Sequence, residues 1–361
     1  MTRAAVYFDP RFGDHHPKHA VRSLHPDNHA RFCAIEAALA TRGAHFERPP
    51  IPPFRASLAA GVHTPAYLEI LEGLRGVESY AFDEDTSISA GSVDASYAAA
   101  AALCHAVEAS WSGEVPRAFV LSRPPGHHAG PERAMGFCLL NHVAIAAAHA
   151  RRLGARRVAI IDWDVHLGNG TQEIFDDDPE VLVVDLHQED HWPGGGGLES
   201  TGSGPGRGRT LNLPLPPGSG DPECIALLDR VVAPALEAFS PELLLVSAGF
   251  DAHRDDPLGQ LEYTAAGFAQ LCARVRILAD RHSEGRLLLA LEGGYDPVGL
   301  QASVEACLES LAPHSTPALV EPDRISTSVQ GLIERASEQF GLRAPPTEGA
   351  DEIRTFRSKN A

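Results

Sequence analysis

Short, almost wholly apolar runs recur along the chain at residues 4–8, 117–121, 157–161, 181–184, 243–246 and 287–291, with a weaker one at 210–213. Runs of this length without polar alternation predict strands covered on both faces, as in a parallel sheet. Between them lie longer stretches rich in alanine and leucine, with apolar positions three and four apart. These predict helices over 93–110, 139–153, 222–239, 264–281, 297–311 and 325–340. Most of the helices follow a strand, and that alternation predicts an α/β fold: a central, mostly parallel sheet flanked by helices. Segments rich in Gly and Pro at 193–208 and 214–220 read as loops, because strand and helix patterns resume on either side. No repeat or domain boundary breaks the pattern, which predicts one domain over residues 1–343. Residues 344–361 are polar and aperiodic and read as a loosely held tail.

Polar residues gather where the apolar runs end. Leu121 is followed by Ser-Arg-Pro-Pro-Gly-His-His, Ile161 by Asp-Trp-Asp-Val-His, Val184 by Asp-Leu-His, Val246 by Ser-Ala-Gly-Phe-Asp, and Leu291 by Glu-Gly-Gly-Tyr. Ligands of open parallel sheets bind beyond the carboxyl ends of the strands, so five runs deliver acids, imidazoles and a phenol to one edge. One such residue alone reads as a satisfied buried polar group. Several carboxylates crowded at a low-dielectric edge need protons or a cation, and a divalent metal answers that need. Asp164 and His166 lie two apart, so on an extended segment they share a face, as does Asp162. Asp251, at the end of a neighbouring run, is the natural third ligand. One imidazole with two carboxylates leaves a position open for water, the mark of a catalytic site, and suits zinc as well as iron(II) or manganese(II).

Charge narrows the partners. The 361 residues carry 48 acidic against 30 basic side chains, a formal charge of −18, which excludes nucleic acid and anionic membrane as general partners and favours a neutral or cationic substrate. With 43% hydrophobic and 22% charged residues the chain can bury a sizeable core. It has no apolar run of membrane-spanning length, and Met1-Thr-Arg leads straight into a strand-like run, which predicts a cytoplasmic protein. The six cysteines form no CxxC pair and read as free, mostly buried thiols.

Five motifs then stand in order: Arg123-Pro-Pro-Gly-His-His-Ala129, Gly136-Phe-Cys-Leu-Leu-Asn141, Asp162-Trp-Asp-Val-His-Leu-Gly-Asn-Gly-Thr-Gln172, Ser247-Ala-Gly-Phe-Asp251 and Glu292-Gly-Gly-Tyr295. Together they resemble the histone deacetylase superfamily, in particular its class II branch, the bacterial deacetylase-like amidohydrolases and the acetylpolyamine amidohydrolases. The resemblance covers residues 1–320. It implies an arginase- and deacetylase-like fold and a metal at Asp164, His166 and Asp251. It further implies hydrolysis of an acylated amine, an acyl-lysine side chain or a small molecule.

In that family pattern His127 pairs with Asp162 and His128 with Asn169; the carboxylate favours a charged His127, and the neutral amide leaves His128 free as general base and later general acid. Tyr295 matches the tyrosine that donates to the developing oxyanion, with Gly293 and Gly294 shaping its loop. Phe137, beside Gly136, and Trp192 resemble the aromatic walls of the acyl-lysine channel. Asp162 and Asp185, with carbonyls of Asp164, His166 and Leu186, map onto a structural potassium site. Phe175, Asp178 and Val181 map onto a second.

The chain departs from the pattern at two places. Leu167 stands where the family usually repeats histidine, and a packing change without loss of activity is expected. Leu258 stands where polyamine-selective relatives carry an acidic residue that pairs with a distal ammonium, so an acyl-lysine-type substrate is favoured over acetylpolyamines. His15, His16, His19, His25 and His29 crowd the segment between Asp14 and Ala30. They show no ligand spacing, and relatives use this segment as a pocket-rim loop or subunit contact, which leaves a homo-oligomer open. Two rival readings are an arginase-type hydrolase, which would need a second set of bridging aspartates, and a non-catalytic acyl-lysine binding module, which would have lost one of the catalytic groups.

Overall fold

The computed structural model describes residues 4–18, 24–313, 315, 318–322 and 324–342. The expected tail over 344–361, and His19, lie outside the described residues. Strand β1 (Ala4–Tyr7) leads through α1 (His29–Arg42) and α2 (Pro65–Gly73) to an antiparallel ribbon of β2 (Tyr80–Ala81) and β3 (Ser87–Ile88). Then come α3 (Ser92–Trp111), β4 (Arg117–Val120), α4 (His142–Arg152), β5 (Val158–Asp162), α5 (Asn169–Phe175), β6 (Val181–Asp185) and β7 (Thr210–Asn212). The chain closes with α6 (Asp221–Leu227), α7 (Ala233–Phe239), β8 (Leu243–Ala248), α8 (Ala265–His282), β9 (Leu287–Leu291), α9 (Pro297–Leu311) and α10 (Thr327–Gln339).

All seven apolar runs are strands of one parallel sheet, ordered β1-β4-β9-β8-β5-β6-β7. Their lack of polar alternation has a direct cause. In β5, Ala159 and Ile161 join the core beneath α1 and α6 to α10, whereas Val158 and Ile160 join the core beneath α3 and α4. Each face of the sheet is thus covered, and the middle of each long strand is apolar on both sides, with polar side chains such as Asp162, Asp185 and Ser247 only near strand ends. β4 and β5 follow one another in the chain but have β9 and β8 between them in the sheet. The strand order reverses there, and the loops after β4, β5, β8 and β9 meet over the resulting crevice.

Three helices were not anticipated: α1, α2 and α5. The single helix expected over 222–239 is interrupted by a π-helical turn at Leu228–Val232, just before Pro234, which has no N–H to give to an α-helical ladder. Five of the six cysteines are buried and Cys33 is exposed; all are free. Among the described residues no helix is long and apolar enough to cross a membrane.

Candidate active site

β5 ends at Asp162, and the next residues bend instead of continuing as a strand. Asp164 Oδ1 accepts from the backbone N of His166 at 2.9 Å, a local turn that an aspartate supports with its own side chain. The two side chains therefore meet through a turn, not through the strand alternation expected from their spacing. His166 Nδ1 lies 3.1 Å from Asp164 Oδ1 and 3.2 Å from Asp251 Oδ2. Asp164, His166 and Asp251 offer ligand atoms all within 4.8 Å of one another, the single such group among the described residues. Both carboxylates are fully buried, and Asp251 Oδ2 makes no hydrogen bond.

Electrostatics make this a place for a cation. Burial opposes charge on His166, yet the Asp164 and Asp251 carboxylates beside it push it up to about 10. Burial and the neighbouring Asp164 charge raise Asp251. A divalent ion relieves the same crowding, and two carboxylates with one imidazole fit zinc, iron(II) or manganese(II). Gly293 closes the site from the β9 side. Its N–H donates to Asp164 Oδ2 at 2.8 Å, and a Cβ there would overlap Asp251 Oδ2 and sit 2.7 Å from Asp164 Oδ2. Close approach to the ligands, more than loop freedom, is what glycine supplies at 293. Gly294 has φ +117, which only glycine adopts without strain.

The loop after β4 carries the imidazole pair. His127 Nδ1 is 2.9 Å from Asp162 Oδ2, and His128 Nδ1 is 2.7 Å from Asn169 Oδ1. The two rings are 4.0 Å apart and both are buried. Burial disfavours a charged His127, but Asp162 and Asp164 outweigh it and hold that imidazole well above its ordinary value. Burial and the charges of His127 and His166 hold His128 well below. The neighbouring histidines are thus pushed in opposite directions, His128 down by burial and adjacent positive charge and His127, against its own burial, up by its carboxylates.

Tyr295 follows β9. Burial, with Asp251 and Asp164 nearby, raises its phenol well above the ordinary value, so it stays a neutral donor. Its ring meets Phe137 edge-on at 5.7 Å. Phe137 is half-buried, with φ +68, a conformation unusual for an aromatic residue; its N–H donates to Thr86 Oγ1 at 3.2 Å. Trp192 is 40% exposed and stands edge-on to His128 at 4.7 Å and to His166 at 5.8 Å. A Cβ on Gly136 would lie 2.7 Å from Trp192 Cη2, so glycine there lets Trp192 approach. Leu258 is half-buried, and its carbonyl accepts from His191 Nε2 at 2.8 Å. Leu167 is buried and packs beneath Gly196, close to His187, while Asn169 keeps its bond to His128.

Asp162 and Asp185 are buried and paired across β5 and β6. Asp185 accepts from His187 Nδ1 at 2.8 Å and from Gly168 N at 2.8 Å, and Leu186 N donates to the Asp162 carbonyl at 2.9 Å. Farther out, Phe175 O accepts from Asp178 N at 3.1 Å, the Asp178 carboxylate pairs with Arg151, and Val181 begins β6.

Several residues frame the site in roles that their motifs do not state, Glu292 and Arg123 among them, while Arg31 and Asp27 carried no recognisable signal. Glu292 Oε2 accepts from the backbone N of Gly126 at 2.6 Å and of His127 at 3.2 Å, bracing the imidazole loop. Arg31 donates to Glu292 O at 2.5 Å and Gly294 O at 2.6 Å, and both it and Arg123 grip Asp27 Oδ1, at 2.7 and 2.6 Å. The histidine-rich segment contributes here too. His15 Nε2 is 3.3 Å from Asp27 Oδ2, and His25 lies edge-on to Phe137 at 4.5 Å.

Known proteins share this architecture. The histone deacetylase domain model matches residues 25–311. A probable deacetylase of Archaeoglobus fulgidus is 38% identical over 318 residues, covering 86% of this chain and 88% of that protein. A histone deacetylase-like amidohydrolase of Pseudomonas aeruginosa is 41% identical over 253 residues, 70% of this chain and 67% of its own. The crystal structure of the HDA15 HD domain matches with a TM-score of 0.87 at 34% identity, covering 94% of each chain.

Proposed function

This chain belongs to the histone deacetylase family, and we propose that it is a zinc-dependent hydrolase of linear amides that removes an acetyl or other short acyl group from an acyl-lysine-type side chain. The observation that carries the reading is the meeting of the Asp164, His166 and Asp251 ligand group with two adjacent buried imidazoles, His127 on the Asp162 carboxylate and His128 on the Asn169 amide. A divalent ion held there, zinc or alternatively iron(II) or manganese(II), supplies Lewis acidity to the carbonyl and to water.

The protein's own groups do the rest. His128 holds Nδ1–H on Asn169 and so presents a bare Nε2, which takes the proton from the attacking water. Cationic His127, fixed by Asp162, adds positive charge beside the developing tetrahedral centre. Tyr295 donates its phenolic proton's hydrogen bond to the oxyanion. His128 then passes its proton to the departing amine, which cannot leave as an anion.

Phe137 and Trp192 are the walls for a linear alkyl chain, and Leu258 at the rim offers no partner for a distal ammonium. We read the buried pair Asp162 and Asp185 as the place of a structural potassium ion. At the second expected potassium position the Asp178 carboxylate is already paired with Arg151, and only backbone oxygens would serve. The acidic net charge fits an acylated amine as partner, with no nucleic acid or membrane, in the cytoplasm.

Side-by-side hydrolysis of an acetyl-lysine peptide and N-acetylputrescine tests the substrate. The expected kcat/KM for the peptide is at least about tenfold higher. A preference for acetylputrescine would instead make the chain an acetylpolyamine deacetylase with the same chemistry. Turnover of neither would favour an acyl-lysine binding module.

A further inference from the structure

Tyr295 is the one proposed catalytic group carried on a short turn between a strand and a helix, so something must fix it. Its ring has the Arg31 guanidinium over it at 4.8 Å. Its backbone is held by a different residue. Asp256 Oδ2 accepts from Tyr295 N at 2.6 Å and Asp296 N at 3.1 Å, and Asp256 Oδ1 accepts from Leu258 N at 2.9 Å.

The bond to Leu258 N, two residues on, is a local turn that any aspartate can make. The bonds from Oδ2 are not local: they reach a segment 39 residues away in sequence. Asp256 is buried, whereas the adjacent Asp255 is 68% exposed. One acid of the neighbouring pair is thus turned inward onto the Tyr295 turn. Leu258 extends the connection. Its carbonyl accepts from His191 Nε2, and the His191 ring stacks on the metal-group residue His166 at 4.9 Å with 24° between planes. Asp256 therefore joins the Tyr295 turn, the Leu258 rim and, through His191, the loop that carries Trp192.

We propose that Asp256 is a positioning residue of the reaction, whose carboxylate ties the Tyr295 turn to the Leu258 rim so that the oxyanion donor and the channel wall keep one relative placement. The proposal rests on Tyr295 being the oxyanion donor. Both carboxylate oxygens face only N–H donors. In Asp256→Asn one oxygen becomes an NH2 that cannot accept, so either the Tyr295 turn or Leu258 loses its acceptor whichever way the amide is turned.

The test is a double-mutant cycle on the full chain: wild type, Asp256→Asn, Tyr295→Phe and both together, each confirmed folded by circular dichroism at the assay temperature. Asp256→Asn is expected to lower kcat about 10- to 100-fold, since small misplacements of a reacting group cost that much, with KM changed less than about threefold. In the Tyr295→Phe background the same substitution is expected to cost less than about threefold, because the hydroxyl it places is already gone. An equal loss in both backgrounds, or an unchanged kcat in Asp256→Asn, overturns the proposal while leaving the Tyr295 reading intact. Full activity in Tyr295→Phe alone overturns the Tyr295 reading, and this inference with it.

Discussion

Tyr295→Phe lowers kcat on the order of 10²- to 10³-fold, the usual effect of removing one oxyanion donor. The substitution deletes one hydroxyl and keeps the ring, so the contacts with Phe137 and with Arg31 persist. Those contacts help shape the channel, and KM is expected to stay within a few-fold of wild type, about threefold. The phenol can act only as a neutral donor. Burial and the Asp251 and Asp164 carboxylates hold its proton on far above pH 7, so no tyrosinate competes. Steady-state kinetics on an acetyl-lysine peptide, with bound metal measured in the same samples, checks this. A kcat unchanged at full metal content would remove Tyr295 from the mechanism.

His128→Ala has an effect of similar or greater size, on the order of 10²- to 10⁴-fold in kcat, because one imidazole serves as base for the water and acid for the amine. Asn169 fixes its tautomer, with Nδ1 facing the amide oxygen at 2.7 Å. The pH profile carries the assignment further. Burial and the neighbouring charges lower His128 well below its ordinary value of 6.5, so the base is already neutral at pH 7. Activity is therefore flat near neutrality and falls only as pH drops below 6.5, where Nε2 takes up a proton before it can act. Asn169→Asp replaces the amide with a carboxylate, which raises His128 as Asp162 raises His127, and moves that acid limb to higher pH. An acid limb that ignores Asn169→Asp would place the base elsewhere.

Much of this was legible in the sequence because burial on two faces leaves a strong trace. Each strand run was visible, with ends displaced by at most two residues, since both faces of β5 and β8 are covered and polar side chains enter only near their carboxyl ends, at Asp162 and Ser247. The polar residues that interrupt the runs mark strand ends, and so they marked the crevice.

What could not be read has specific physical causes. α1 does carry an apolar face at helical spacing, Phe32, Ile35, Ala38 and Leu39; what has no pattern there is the inward Arg31, which serves Asp27 and the carbonyls of Glu292 and Gly294. α5 begins Asn169-Gly170, a dipeptide that by itself reads as a turn, and tertiary contacts decide for a helix. The grouping of Asp164 with His166 was reached from strand spacing, yet a side-chain-supported turn produces it. Asp256, and Glu292 within its motif, act through pairs of long-range hydrogen bonds to backbone, which have no periodicity to detect.

The central claim is that Asp164, His166 and Asp251 hold one divalent ion on which acyl hydrolysis depends. Its most direct test is to strip the protein with a chelator and titrate zinc back while following both bound metal and hydrolysis of an acetyl-lysine peptide. The account predicts that activity vanishes on stripping and returns in step with occupancy, saturating at one ion per chain. Undiminished hydrolysis by the metal-free protein, or activity that returns only with a second ion as in an arginase-type centre, would contradict it.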